Sequence, residues 1–546
     1  MVSSRSDWKW YGLAVVLLAY AYISHIGFYP INVGHDEGIR ALVAMEMNFS
    51  GDYIVPTLNG ELYLNKPPLF NWILAASFKL FGYNEFALRL PTIISIFIGG
   101  CCVYWFTRRY LQERTARIAA LFMMIDGEIL IYDSMLGLID ITYAWVTFLG
   151  FMLVFYFGEK EQYYRLFLLS WLVAAAGFML KGFPTLGFHG LTLLAYFTYT
   201  RRFRILFHPA HFAGVGLFLL LVGSYYGLYF YRSGLTPGTL FNNLFIESTK
   251  RTPFFHALGD FFKHVAEFPL TLFYHYAPPM LFALVLLRKD WRAVTRSHPF
   301  VLFCAVTFLV NIIIYWLSPK IFPRYVLPVL PLLFIVLAYV YNEKTEPGDR
   351  RKKILDTVML SATFLAWLFC FLLPWLPLTK GVSHALPRSL FLVLAFGFVV
   401  FSMIRQPRFR VVHFFIAVAI LRIGFNWFVI EQRGQANIVA EKDGEKIAAI
   451  TKGQALYIFG RPTDHSISVI GDKNATSFNI AKHREEILRF DTTIRYDAFY
   501  LANPDAVRAL PHTVYYTFQN PQIDTAILVK FTAPGPVLKP GTPSAN

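Results

Sequence analysis

Polar and apolar positions in this chain segregate into long blocks. Roughly 20 apolar residues carry a helix across the ~30 Å hydrocarbon core of a bilayer. Thirteen stretches approach that length: about 10–30, 86–107, 115–132, 139–157, 163–180, 185–200, 209–231, 270–288, 297–317, 324–341, 355–376, 387–404 and 411–430. Most of the polar breaks are short. Two are longer, about 32–85 and about 232–269. In the first, Glu37–Phe49 sets Ile39, Leu42, Val43 and Met47 at helical spacing, and Pro68–Phe81 is apolar but too short to span. Both segments predict helices lying along a membrane surface, punctuated by Gly51-Asp52 and Pro67-Pro68.

After about residue 431 the long blocks end. Short runs at 455–459, 496–501, 513–518 and 525–531 predict strands with helical stretches between them. The expected architecture is an all-α polytopic membrane domain over 1–430, with external loops 32–85 and 232–269, and a small C-terminal α/β domain over 431–546. The Pro-, Gly- and Ser-rich tail from Ala533 reads as loose.

Composition agrees with the blocks. Only 15% of residues are charged and mean hydropathy is +0.47, where a soluble protein carries about a quarter charged residues. The net charge of +16 would suit nucleic acid, but the basic residues fall in short clusters between apolar stretches, and no nucleic-acid motif accompanies them. One set of loops holds Arg108/Arg109, Lys160/Arg165, Arg201/Arg202/Arg204, Arg288/Lys289, Arg350–Lys353 and Arg405/Arg408/Arg410; the opposite short loops hold only Lys181, Lys320, Arg324, Lys380 and Arg388. The positive-inside rule then predicts a cytoplasmic N-terminus and an external C-terminal region. Four cysteines (Cys101, Cys102, Cys304, Cys370) lie inside apolar stretches without zinc spacing, which argues against structural disulfides and a Cys-bound metal. The first stretch is long, lacks a small-residue cleavage site and is followed by further spans, so it reads as an uncleaved helix.

The candidate chemistry gathers after the first stretch. Gly34-His35-Asp36-Glu37 is followed by Gly51-Asp-Tyr-Ile-Val-Pro-Thr-Leu-Asn-Gly-Glu-Leu-Tyr63-Leu-Asn65-Lys66-Pro-Pro and then by Tyr83-Asn-Glu-Phe-Ala-Leu-Arg89-Leu-Pro91. This run resembles the first external loop of the GT-C superfamily of glycosyltransferases, in the aminoarabinose transferase (ArnT) and protein O-mannosyltransferase-like group. The likeness extends through the spans to about residue 340 and fades over the last third.

The resemblance implies a GT-C fold and a sugar donor linked to a polyprenyl phosphate. It places a catalytic carboxylate at Asp36, with Glu37 beside it to position the acceptor or a cation. It puts Tyr63 and Lys66 on the carrier phosphate, Asp140 as a second functional carboxylate or lysine partner, and Lys181 in a Lys-Gly-Pro-like element. Arg324 and Tyr325 match a late Ser-x-x-Lys…Tyr-x-Leu-Pro element, here Ser318-Pro-Lys320-Ile-Phe-Pro-Arg324-Tyr325-Val-Leu-Pro328. The family also carries an Arg and a His in the second long loop. Arg251 is the candidate arginine, and His256 and His264 compete for the histidine, with metal binding as a further role for either. Where the aminoarabinose enzymes have Glu before Lys-Pro-Pro this chain has Asn65, which argues against a bound divalent metal and against that particular activity. No other cofactor is expected.

The chemistry suits these residue types. A polyprenyl phosphate is already a good leaving group, so the demand is for a base on the acceptor hydroxyl and for cations on the phosphate. The implied acceptor is lipid A; a protein or a cell-surface glycan is the alternative. A lipid-linked-sugar flippase or transporter is the rival of another class. It requires polar residues near the bilayer midplane and paired repeats, whereas here the polar residues gather at the outer ends of the spans. The expected location is a bacterial inner membrane.

Overall fold

A computed structural model of the chain describes residues 5–28, 36–239, 242, 258–319, 321–346, 348–460, 475–520 and 524–532. Among the described residues, eight helices are long and apolar enough to cross a membrane, nine if one bent pair is counted as a span. They include Glu85–Tyr110, Asp140–Gly158, Tyr163–Lys181, Pro209–Ser233 and Pro299–Trp316.

The thirteen predicted stretches all fall on helix, but several are shorter than expected. Helix α1 (Arg5–Ile23) is apolar only from Trp8. Glu113–Ile125 has 13 residues, Pro184–Tyr199 has 16 and Leu330–Glu343 has 14. The stretch 115–132 breaks at Asp126, whose side chain accepts from the Ile129 amide at 3.1 Å and caps a new short helix, Gly127–Ile131. The stretch 270–288 is not one straight helix. Gly259–His275 and Pro279–Leu286 meet at 119°, because Pro278 and Pro279 supply no amide hydrogen to continue the helix. The two breaks touch each other. A Cβ on Gly127 would lie 2.6 Å from the His275 carbonyl oxygen and 2.7 Å from that of Ala277, so only glycine allows the approach.

The loop after α1 contains helices α2 (Asp36–Ser50) and α3 (Leu69–Phe81). α2 is covered by protein on more than its apolar face: Glu37, Gly38 and every residue from Arg40 to Met47 are buried. It packs on α3 and against the helix Ala475–Arg484 from the far end of the chain. Between α2 and α3 a two-stranded hairpin, β1 (Thr57–Leu58) and β2 (Glu61–Leu62), turns through Asn59 and Gly60. Both have positive φ, 54° and 78°, which is the Asn-Gly signature of a type I′ turn.

The C-terminal part forms a five-stranded sheet of order β4-β3-β5-β7-β6, from β3 (Leu456–Phe459), β4 (Arg489–Asp491), β5 (Phe499–Ala502), β6 (His512–Asn520) and β7 (Asp524–Phe531). β3 runs parallel to β4 and β5, and β7 runs antiparallel to β5 and β6. β4 is not foreseen by the strand pattern, because three residues are too few to show an alternation. The side chains divide as a period of two requires. Leu456, Ile458, Phe499, Leu501 and Leu528 join the core that runs through the helical part, and Phe459, Tyr500, Val529 and Phe531 form a second cluster on the opposite face. The helices Gln435–Ile450 and Ala475–Arg484 contribute Ile447, Phe478 and Ile480 to the same large core. Phe478 stands 6.3 Å from Phe78 of α3.

Candidate active site

Three helix ends and one short turn converge beneath the loop 36–85. Asp36 opens α2 and Asp140 opens the helix Asp140–Gly158; helix N-termini favour both carboxylates. Lys181 closes the helix Tyr163–Lys181, and Arg324 and Tyr325 sit in the 3₁₀ turn Pro323–Val326. Asp140 is buried, and Lys181 Nζ donates to its Oδ1. The Arg324 Nε lies 3.4 Å from Asp140 Oδ2, and an Arg324 terminal nitrogen lies 3.8 Å from Asp36 Oδ2. The Tyr325 ring lies 4.1 Å from Lys181 Nζ, and the Phe322 ring 4.4 Å from the Arg324 guanidinium carbon. The side chain of Asp36 is 49% exposed while that of Asp140 is 5% exposed, so Asp36 is the carboxylate a substrate can reach.

Lys66 joins this cluster from the segment between the hairpin and α3. Burial, together with the charges of Arg40 and Lys181, pushes its ammonium down to about 8 against the opposing pull of Asp36 and Asp140. Its position is set by Glu46. That buried carboxylate accepts from the Asn59 amide at 2.5 Å, the Gly60 amide at 3.2 Å and Thr57 Oγ1 at 2.6 Å. Burial raises Glu46 above the usual carboxylate range, and the three donors pull it back.

Two candidates stand elsewhere. Glu37 does not face the cluster: it is fully buried and chelates Arg89, with Nε donating to Oε1 at 2.8 Å and Nη2 to Oε2 at 3.1 Å, while the Gly137 amide donates to Oε1 at 2.7 Å. The structure thus shows this substrate candidate joining α2 to Arg89 and the Gly137 amide rather than turned to the cluster. Tyr63 is buried against Val43 and Met47, with its ring 5.6 Å below the Arg40 guanidinium. Arg251 and His256 lie outside the described residues. The Nε2 of His264 donates to the Tyr315 carbonyl at 3.1 Å. Among the described residues no three His, Cys, Asp or Glu side chains gather to hold a metal ion, and Asn65 is exposed.

Arg40 belongs to the site and was not foreseen. It lies one helical turn after Asp36, is buried, and reaches Asn71 Oδ1 at 3.5 Å. Its Nε has no hydrogen-bond acceptor among the described residues, and neither does Arg324 Nε. The i,i+4 spacing from Asp36 is the signal that could have found it. Asp133 lies near Arg324, where burial pushes its carboxyl well above the usual range. Arg40, Lys66, Lys181 and Arg324 thus gather around the two carboxylates Asp36 and Asp140, an arrangement rich in cationic side chains and suited to an incoming phosphate.

The chain is similar to several known proteins. A family profile described as Dolichyl-phosphate-mannose-protein mannosyltransferase matches residues 65–226. The chain is 26% identical over 384 residues to the undecaprenyl phosphate-alpha-4-amino-4-deoxy-L-arabinose arabinosyl transferase of Edwardsiella ictaluri, covering 67% of this chain and 66% of that one. It is 25% identical over 377 residues to the enzyme of the same name from Pseudomonas paraeruginosa, covering 66% and 64%. The chain therefore spans about two thirds of the length of these relatives. The crystal structure of ArnT from Cupriavidus metallidurans bound to undecaprenyl phosphate superposes with a TM-score of 0.66 at 18% identity, over 96% of this chain and 98% of that one.

Proposed function

We propose that this chain, a membrane glycosyltransferase of the ArnT-like GT-C group, moves a sugar from a polyprenyl phosphate to a hydroxyl acceptor on the non-cytoplasmic face, with Asp36 as general base. The observation that carries the reading is the exposed Asp36 carboxylate beside a cluster of cations that outnumbers it. In the step, the acceptor oxygen attacks the anomeric carbon as its proton passes to Asp36. The bond from that carbon to the phosphate oxygen breaks, and the polyprenyl phosphate leaves with the electron pair. Attack opposite the leaving group inverts the anomeric centre.

Lys66, Arg324 and Arg40 hold the departing phosphate. Lys181 and Asp140 form a pair that fixes Arg324, so Asp140 acts as a positioning residue. The Lys/Arg asymmetry of the loops supports placing this cluster, and the sheet domain over 431–546 with it, on the external side of the membrane. Polyprenyl-phosphate aminoarabinose and lipid A are the donor and acceptor favoured by the named relatives and the sequence resemblance; the matched mannosyltransferase profile favours a protein acceptor as the second reading.

The test is transfer by purified protein in lipid, with a panel of polyprenyl-phosphate sugars offered against lipid A and against hydroxyl-bearing peptides. Product on lipid A supports the first reading and product on peptide the second. Movement of the lipid-linked sugar between leaflets without transfer would overturn both.

A further inference from the structure

A groove of about 430 Å³ runs along the outside of the helical part, far from the site above. Its walls are Trp10, Leu13 and Leu17 of α1, Phe391 and Phe398 of the helix Ala385–Arg405, and Ile416 and Ile423 of the helix Arg410–Phe425. It extends from His413 to Trp427, fourteen residues and therefore about 20 Å at the helical rise, the reach of one extended long-chain acyl tail. Its Trp427 end is the active-site end. Glu431, four residues on, approaches His25 at 3.8 Å just before the loop that leads to Asp36. The His413 end is therefore the opposite one, where Arg405 and Arg408 lie just before His413 in the chain and Lys9 just before Trp10.

His413 is the feature the walls do not explain. It is 1% exposed, it lines an otherwise apolar groove, and neither ring nitrogen has a hydrogen-bond partner among the described residues. The Trp10 ring meets it edge to face at 4.6 Å, a contact that satisfies at most one of the two nitrogens. At membrane depth water does not compensate, so an ionisable side chain there needs a partner. Phe409 links the imidazole to the basic end: its ring is 6.3 Å from His413 and 5.7 Å from the Arg408 guanidinium carbon.

We propose that this groove binds one anionic glycerophospholipid. The acyl chain lies between α1 and the two late helices, an ester carbonyl accepts from the His413 ring N–H, and the phosphate lies at the basic end near Arg405 and Arg408. A polyprenyl tail entering from the active site would fill the apolar walls but bring nothing for His413 to bond at the far end.

The experiment is native mass spectrometry of the full chain, stripped of lipid in detergent, after adding phosphatidylglycerol, phosphatidylcholine or undecaprenyl phosphate. The expected result is one retained phosphatidylglycerol, at least tenfold preferred over phosphatidylcholine, and lost in both His413→Leu and Ala395→Phe. The second variant fills the groove from another helix and leaves His413 in place. Thermal melting confirms that each variant is folded. Equal retention of phosphatidylcholine, unchanged retention in the two variants, or displacement by undecaprenyl phosphate would each overturn the proposal. Because the assay reads lipid retention and not sugar transfer, it fails or succeeds independently of the proposed catalytic reaction.

Discussion

Asp36 and Glu37 are neighbours in the chain, and each approaches an arginine, yet they belong to two regions built to opposite ends. Beneath α2, Glu37 and Arg89 are both fully buried and bound through two parallel hydrogen bonds, with the Gly137 amide as a further donor. Beside it, Asp36 is half exposed and Arg324 stands 3.8 Å away; the Arg324 Nε lies 3.4 Å from Asp140 Oδ2 but makes no hydrogen bond among the described residues. The closed pair is buried and engages both carboxylate oxygens, tying α2 to the helix Glu85–Tyr110. The open cluster leaves capacity for a substrate. Two carboxylates of the same motif are thus divided between a closed ion pair and an open cluster by one residue's rotation around a helix.

The largest expected effect tests that division directly. Asp36→Asn removes the base without removing volume and should lower turnover by about 10²–10⁴-fold, with an unchanged melting temperature. Equal transfer by the variant and the wild type would move the base elsewhere. Glu37→Gln should behave in the reverse way, leaving the Arg89 charge buried and half-paired at a cost of about 3–5 kcal/mol of stability. The check is a lowered melting temperature in detergent, with turnover per folded molecule retained. If turnover falls while the fold holds, Glu37 is not architectural and the comparison breaks.

A smaller effect concerns the open cluster alone. In the proposed site Lys66 would bind phosphate as a cation, and burial with the charges of Arg40 and Lys181 lowers its ammonium to about 8. As pH rises through that value the charge is lost, so KM for the donor should rise above about pH 8 while staying flat below it. Lys66→Arg, which keeps its charge at every accessible pH, should flatten that limb. A pH profile of KM identical in both proteins would remove Lys66 from the phosphate site. The smallest effect is that of Thr57→Val. It deletes one of the three donors to Glu46 and should cost about 1 kcal/mol, read as a modest drop in melting temperature and a rise in KM as the hairpin that leads to Lys66 loosens.

The sequence by itself determined the class of molecule. Blocks of apolar residues, sparse charge and the alternation after 431 are local properties, and local properties survive into the fold. Through its resemblance to the GT-C glycosyltransferases it also marked Asp36, Lys66, Lys181 and Arg324 as candidates, with Lys66 singled out further by the scarcity of cations in its loop. Tertiary structure alone decided what each does. Periodicity gave α2 one apolar face, but the helix 475–484, more than 400 positions away in the chain, also packs on it. The resemblance grouped Glu37 with Asp36, but successive helical residues point about 100° apart, so one meets Arg89 and the other the open site. Asp140 became a partner of Lys181, and Arg40 joined the site, through contacts between segments that no sequence window contains. The two helix breaks, at Asp126 and at Pro278-Pro279, were written in the sequence as a capping residue and a proline pair. What could not be read there is that they abut through Gly127, because a close approach of two backbones leaves no periodic trace in either.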